Sequence, residues 1–428
     1  MEVSPVEIPP YFLCPISLEI MRDPVTLSTG MTYDRSSIER WIFSDKHQTC
    51  PVTNQQLTDP DLITPNHTLR RLIQAWCVSH ASDGIERFPT PKPPINKSQI
   101  VSLLEEAKKP HNTVLSLRKL RGLTLEAERN KRLVEECTEV MDFLILIIRD
   151  YTLEDKTNGD HLLYDEEVLE SASGIATTSA CEEALNLLNS LKLSDQGWIR
   201  VLERNGDFID ILTGIMAKLN YQSRAHAVFL LKSLVQVMSP ARMILVRSDL
   251  VHEVVRIIQD QVSSKAMKTA LQVLCRLGPW GRNRVKAVEA GMVQLLIDML
   301  LDGQDKKTSE LMLFVLEQLC RCSEGRSQFI LHGAGIALVS KKIFRVSNVA
   351  TESSVRILHL VAKYSASPVI LQDMLQLGVV AKLFMVLQMD CSAKAREKAK
   401  EILSLHCRVW RASPCLSPQL KAYYPVVN

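Results

Sequence analysis

One spacing constrains this chain more than any other feature. Short apolar segments with a small or polar first residue recur every 42 to 44 residues through its C-terminal half: GDFIDIL from Gly206, DLVHEVV from Asp249, GMVQLLI from Gly291, GIALVSK from Gly335 and GVVAKLF from Gly378. A second series interleaves with the first. It reads ALNLLNSL from Ala184, AVFLLKSL from Ala227, ALQVLCRL from Ala270, MLFVLEQL from Met312, SVRILHLV from Ser354 and AKEILSLH from Ala399, at intervals of 42 to 45. Two series sharing one period demand a repeating supersecondary unit.

A period near 42 with two or three helices per unit belongs to the armadillo/HEAT class of α-solenoid, in which no unit buries its apolar face alone and stacking makes a continuous core. An earlier unit stands in SLRKLRGL from Ser116 and EVMDFLI from Glu139, which precede the next members by 68 and 67 residues. Both series gain the same excess over one period, so an insertion separates them. The acidic segment Tyr151 to Gly174 is expected to be that insertion and to be loop-like. The repeat superhelix is expected over residues 101–412, with a tail at 413–428.

Composition narrows the function classes. Net charge is +3, with six Lys/Arg against nine Asp/Glu in residues 1–80 and 45 against 39 in the rest, so neither part carries a basic face for nucleic acid. Eleven scattered cysteines, with only Cys320 and Cys322 close together, suit free thiols rather than a disulfide framework. The start MEVSPVEIPPYF has no basic and then apolar run and is not expected to act as a secretory signal. The most apolar stretch, Val140 to Ile148, is nine residues long, whereas a membrane span needs about 20.

Prolines at 89, 91, 93 and 94 mark residues 81–100 as a semi-rigid linker. Before it, PVTLSTGMTYD alternates around Thr29-Gly30 as a hairpin would. Ser36 and Glu39 have capping-box spacing. Leu69, Leu72, Ile73 and Trp76 form the stripe of an amphipathic helix. A two-site zinc ring needs eight Cys/His ligands in paired spacing. Residues 1–80 offer Cys14, Cys50, Cys77, His47, His67 and His80, with His47 and Cys50 the one close pair, so no metal is expected. Cys14 and Cys50 each precede proline without a nearby His–Asp pairing or Gly-rich elbow, and read as packed cysteines rather than nucleophiles.

The stretch FLCPISLEIMRDPVTLSTGMTYDRSSIERWI, followed by TCPVTNQQL and LITPNHTLRRLIQAW, resembles a U-box throughout residues 8–80. A U-box is similar to a RING finger with polar contacts in place of zinc. With the GIERFPTPKPP linker and the repeats, the chain resembles the short plant U-box ligases with armadillo repeats. The resemblance implies a mostly α protein: a small, metal-free α+β U-box followed by an armadillo/HEAT-type solenoid. It implies a ubiquitin ligase without cofactor and without a catalytic acid, base or nucleophile of its own.

Its implied partners are a ubiquitin-conjugating enzyme, ubiquitin, and a protein substrate held by the repeat groove. Homo-oligomers are known among U-boxes and stay open here. Carried over by position, Ile16 and Leu18 of the first loop, Trp41 of the central helix and Pro51 of the second loop would meet the conjugating enzyme. Asn54 stands where many relatives place an arginine that bridges enzyme and ubiquitin, and an amide lacks the fixed charge and bidentate fork. Arg22, Asp23, Asp34, Arg35, Glu39 and Arg40 are the pool for the metal-replacing network.

Family likeness further implies plant stress or defence signalling and a cytoplasmic protein, with the nucleus as a second compartment. Three rivals have distinct marks. An import adaptor would carry a Trp/Asn ladder on its groove helices, whereas Trp198, Trp280 and Trp410 fall outside the repeating register. A thioester-forming ligase would need a catalytic cysteine setting near Cys407 or Cys415. A U-box/armadillo scaffold would bind proteins without ubiquitylating them.

Overall fold

The computed structural model describes residues 7–45, 47–57, 63–86, 95–157, 167–218 and 220–413, without the side chains of 44, 83, 154–157 and 167–176. The four linker prolines and the tail beyond 413 lie outside this set. The chain forms two compact units, Met1–Ile147 with Asp165–Lys192, and Ile148–Tyr164 with Leu193–Asn428.

The first unit opens with a three-stranded antiparallel sheet in the order β2-β1-β3. Its strands are β1 (Pro24–Thr26), β2 (Thr32–Asp34) and β3 (Thr64–Pro65), with Val25 opposite both Tyr33 and Pro65. The expected hairpin forms at Gly30, whose φ of +80° only glycine adopts without strain. The chain then enters α1 (Arg35–Glu39), which continues into a single π-turn (Arg40–Ser44), and later α2 (His67–Ser79). Around these pack Phe12, Cys14, Val25, Tyr33, Ile38, Cys50, Ile73 and Cys77, all buried.

Two local expectations are corrected. Ser36 and Glu39 form no capping box: α1 starts two residues earlier, with Asp34 at the N-cap position, and Ser36 Oγ donates to the Asp34 carboxylate at 2.6 Å. On α2 the stripe is rotated, with Ile73 and Cys77 buried and Leu72 54% exposed. The short sheet covers a narrow arc of the helix, so one of four stripe positions is left in solvent.

The unit continues with α3 (Lys97–Ala107), α4 (Thr113–Glu126), α5 (Glu128–Glu136), α6 (Thr138–Thr157) and α7 (Glu167–Leu191). Helix α3 begins inside the stretch assigned to the linker, set by a full capping box between Asn96 and Gln99. Helix α4 packs on α3, α5 and α7. The insertion expected to be loop-like is helical at both described ends, since α6 reaches Thr157 and α7 starts at Glu167. No Gly or Pro precedes Gly159 to stop α6.

The second unit holds five three-helix repeats. They are α8 (Asp195–Arg204), α9 (Phe208–Met216) and α10 (Tyr221–Val237); α11 (Pro240–Ile244), α12 (Ser248–Gln259) and α13 (Ser264–Leu277); α14 (Gly281–Glu289), α15 (Met292–Asp302) and α16 (Lys306–Leu319); α17 (Ser323–Leu331), α18 (Gly335–Lys342) and α19 (Asn348–Tyr364); and α20 (Pro368–Gln376), α21 (Val379–Gln388) and α22 (Ala393–Leu405), closed by α23 (Cys407–Ala412). The two sequence series fall on the second and third helices. Third helices stack on one another from α10 through α13, α16 and α19 to α22. None carries a tryptophan: Trp198 lies in α8, Trp280 at the start of α14 and Trp410 in α23. Among the described residues no single helix is long and apolar enough to cross a membrane.

The closest backbone approach at a described glycine lies at Gly325, in the first turn of α17, where an added Cβ would sit 2.0 Å from the Leu319 carbonyl oxygen. Gly325→Ala is therefore expected to destabilise the fold by about 2–4 kcal/mol, since backbone must move. Gly122, in the middle of α4 with nothing within 4 Å of an added Cβ, gives the contrast. Gly122→Ala should stabilise by about 0.5–1 kcal/mol through helix propensity. Thermal melts followed by circular dichroism check both signs.

Candidate functional site

The two Cys-Pro loops of the N-terminal domain have the same construction. In the first, the Cys14 N–H donates to the Glu19 carbonyl and the Leu18 N–H to the Cys14 carbonyl, both at 2.8 Å. In the second, Cys50 N–H donates to Gln55 and Asn54 N–H to Cys50, both at 2.9 Å. Each loop turns through one non-glycine residue in the left-handed region, Leu18 at φ +57° and Asn54 at φ +55°. Asparagine tolerates that conformation well, and leucine adopts it only where the surroundings enforce it.

Both sulfur atoms face β2. Cys14 Sγ accepts from the Asp34 N–H at 3.3 Å, and Cys50 Sγ lies 3.0 Å from the Tyr33 hydroxyl. Consecutive residues of one strand thus tether both loops, and the cysteines serve as buried hydrogen-bond groups. Burial pushes the Cys50 thiol up, but hydrogen bonds from Thr29, Thr53 and Tyr33 outweigh it and bring it down to about 6. The sulfur is fully covered, so this acidity reflects its donors and offers no nucleophile to solvent.

Two carboxylates take the centre of the polar network. Asp23 Oδ2 accepts from Arg35 Nε at 2.6 Å and Oδ1 from Arg70 at 3.3 Å. Asp34 Oδ1 accepts the main-chain N–H groups of Arg22 and Asp23 at 2.8 and 2.9 Å. Arg35 also reaches Glu39 at 3.6 Å. Of the six residues in the expected pool, Asp23, Asp34, Arg35 and Glu39 contribute side chains. Arg22 enters through its backbone N–H, and Arg40 is exposed on the helix surface. Arg70 was missed because it lies 47 positions from its partner. Among the described residues no His/Cys/Asp/Glu group could hold a metal ion.

The loop tips leave apolar surface in solvent. Leu18 is 75% exposed, Ile16 and Pro51 are half-buried, and Asn54 is exposed. Val52, at the second-loop position matching Ile16, is 50% exposed and escaped the sequence reading. Its signal was the shared Cys-Pro-x-x pattern of the two loops. Trp41 is half-buried and fixed: its Nε1–H donates to the Thr49 carbonyl at 2.9 Å and its ring stacks on His47 at 3.9 Å. The central helix therefore clamps the second loop.

Charges join neighbouring third helices. Arg118 and Arg121 of α4 reach Glu183 of α7 at 2.7 and 3.3 Å. Glu317 of α16 lies 3.8 Å from Arg356 of α19, and Glu401 of α22 takes His359 and Lys363 of α19 at 2.9 Å each. Hydrogen bonds from Lys363, Lys398 and His359 hold the Glu401 carboxyl down near 2. Within each unit these helices meet through paired charges.

Comparison with known proteins agrees with both domains. The U-box domain family matches residues 8–82, and the family described as "Plant U-box protein ARM repeat region" matches residues 99–425. E3 ubiquitin-protein ligase PUB22 of Arabidopsis thaliana is 48% identical over 98% of this chain and 99% of its own length. E3 ubiquitin-protein ligase PUB23 of the same plant is 46% identical over 98% of each. A solved chain from work on the phosphorylation switch between cadherin and beta-catenin aligns with a TM-score of 0.56 at 16% identity, over 79% of this chain and 58% of that one, a likeness of fold alone.

Removing Asp23 would leave Arg35 and Arg70 facing each other without their shared acceptor. Asp23→Ala is expected to cost about 2 kcal/mol or more, reduced from the fully buried case by partial exposure. The N-terminal domain should then unfold earlier in urea, while chelators leave the wild-type transition in place.

Proposed function

The chain belongs to the plant U-box proteins with an ARM repeat region, and from that premise we propose that Ile16, Leu18, Trp41, Pro51 and Asn54 form the docking face for a ubiquitin-charged conjugating enzyme. The chain is an E3 ubiquitin-protein ligase: the U-box recruits the charged enzyme, and the armadillo repeats bind the protein to be modified. One observation carries the residue assignment. Two loops of identical construction hold Leu18 and Val52 in solvent while Trp41 of the central helix is locked against the second loop. Exposed apolar tips on a rigid frame are what a small, transient protein interface requires.

The chemistry needs no acid or base from this chain. A substrate lysine amine attacks the thioester carbonyl that links ubiquitin to the conjugating enzyme, the C–S bond breaks, and the thiolate leaves on the conjugating enzyme. The ligase contributes by holding amine and thioester together and by restricting unproductive orientations, which lowers the entropic part of the barrier. Asn54 contacts ubiquitin or the enzyme by hydrogen bonding alone. A cytoplasmic and nuclear location, a part in stress or defence signalling, and self-association belong to the same proposal on family likeness.

In a reconstituted reaction with several conjugating enzymes, Ile16→Lys, or Leu18→Ala combined with Trp41→Ala, should abolish chain formation while far-ultraviolet circular dichroism stays native. Full activity in those variants rejects the docking face. Asn54→Arg should raise ubiquitin discharge several-fold, because a guanidinium supplies charge and a bidentate fork. That gain is partly offset by roughly 1 kcal/mol for a non-Asn side chain at positive φ. An unchanged or slower rate would place the bridging role elsewhere.

A further inference from the structure

Helix α5 of the first unit has an unusual deficit. Its nine residues, ERNKRLVEE, include only Leu133 and Val134 as apolar side chains. Its N-cap residue is Ala127, which offers no side-chain acceptor to the first-turn N–H groups. A nine-residue helix so polar and uncapped is marginal by itself.

The U-box places an acceptor beside that helix. Glu39, at the end of α1, is 3% exposed. Helix α1 packs on α5, and the main-chain N–H and the charge of Arg129, the second residue of α5, both act on the Glu39 carboxyl. One turn further on, Phe43 of the π-turn receives the Arg132 guanidinium over its ring, 3.4 Å from the centroid. Both α1 and the π-turn pack on α5. Glu39 is also the partner of Arg35, whose Nε holds Asp23, which in turn holds Arg70. A single chain of charges therefore runs from α2 through the metal-replacing centre to the N-terminus of α5.

The geometry also separates this contact from the docking face. Glu39 and Phe43 are four residues apart and share one side of the central helix, whereas Trp41, midway between them, points to the second loop. The armadillo side thus supports the central helix from behind and leaves its docking side open. Burial raises the Glu39 carboxyl, and Arg35 and Arg129 oppose that, consistent with a carboxylate held at a desolvated contact.

We propose that the first armadillo helices act as a brace for the ligase centre: Glu39 capping α5 and Arg132 covering Phe43 hold the Trp41-bearing helix in its docking orientation, so that enzyme recruitment depends on residues outside the U-box. Glu39, Phe43, Arg129 and Arg132 are positioning residues. The inference rests on the docking face proposed above, and its test keeps the two apart.

The test uses the full chain and measures ubiquitin discharge from a charged conjugating enzyme to free lysine, which needs no substrate bound to the repeats. Arg132→Glu should raise the KM for the charged enzyme on the order of three- to tenfold, the loss of one cation–π contact, with kcat within about twofold. Arg132→Lys, which keeps a cation over the ring, should stay within about twofold in both. A variant that merely lost folded protein would lower kcat and leave KM unchanged, and that pattern would overturn the brace.

Glu39→Ala should raise KM similarly and speed amide exchange in the first turn of α5. Adding Ala127→Asp to it recaps α5 from its own chain and should slow exchange again without restoring KM. Recovery of KM in that double variant would reduce Glu39 to a helix cap and overturn the proposal, as would faster discharge in Arg132→Glu. Ile16→Lys serves as the reference. If it abolishes discharge while the Arg132 and Glu39 variants match wild type, the brace alone fails; if it too matches wild type, the docking face fails and the brace with it.

Discussion

Two carboxylates carry the part of this structure that a metal ion would carry in a similar ring. Three strands of two or three residues cannot hold two loops in register by hydrogen bonding alone. Asp34 fixes the turn into β1 through two backbone N–H groups, and Asp23 collects Arg35 and Arg70 from two different helices. An anion with two cationic partners and partial solvent access avoids the desolvation cost that a dry ion pair incurs. The same arrangement has a consequence that zinc would not have. Its outermost member, Glu39, still has acceptor capacity after Arg35, and that capacity is met by α5.

The two cysteine sulfurs anchor both loops to one strand. Each Cys-Pro loop folds back on its cysteine through the same pair of backbone bonds, and β2 meets the two sulfurs with Asp34 N–H and the Tyr33 hydroxyl. Because neighbouring residues of one strand make both contacts, any displacement of β2 moves both loop tips together. Rigid coupling of that kind suits a surface whose exposed residues, Leu18 and Val52, must present a fixed spacing to a partner.

What could be read from sequence depended on the range over which the governing interaction acts. The repeat period was plain because stacking imposes it on every unit, and second and third helices fall on the two series. The hairpin at Gly30 was equally local. The capping box at Ser36 and Glu39 does not form because both side chains are engaged elsewhere, Ser36 by Asp34 two residues before it and Glu39 by Arg35 and the packing on α5. Arg70 could not be placed with Asp23 from spacing alone. Leu72 was assigned to the buried stripe since helical periodicity gives an arc but not its width, which the short sheet sets. Val52 was visible in principle, as the counterpart of Ile16, once the two loops are seen as one motif used twice.

The third helices set a different limit, on the substrate side. Their facing charges are already paired between repeats, with Glu317 almost wholly buried under Arg321 and Arg356, and Glu401 shared by Lys363, Lys398 and His359. A substrate gains little by competing for Glu317, whose exposure to solvent would have to be created first. The more exposed cations Arg321, Lys363 and Arg118 are cheaper to redirect, because surface ion pairs contribute about 0–1 kcal/mol each. The third helices of the second unit carry no tryptophan, so an apolar peptide would find no tryptophan ladder there.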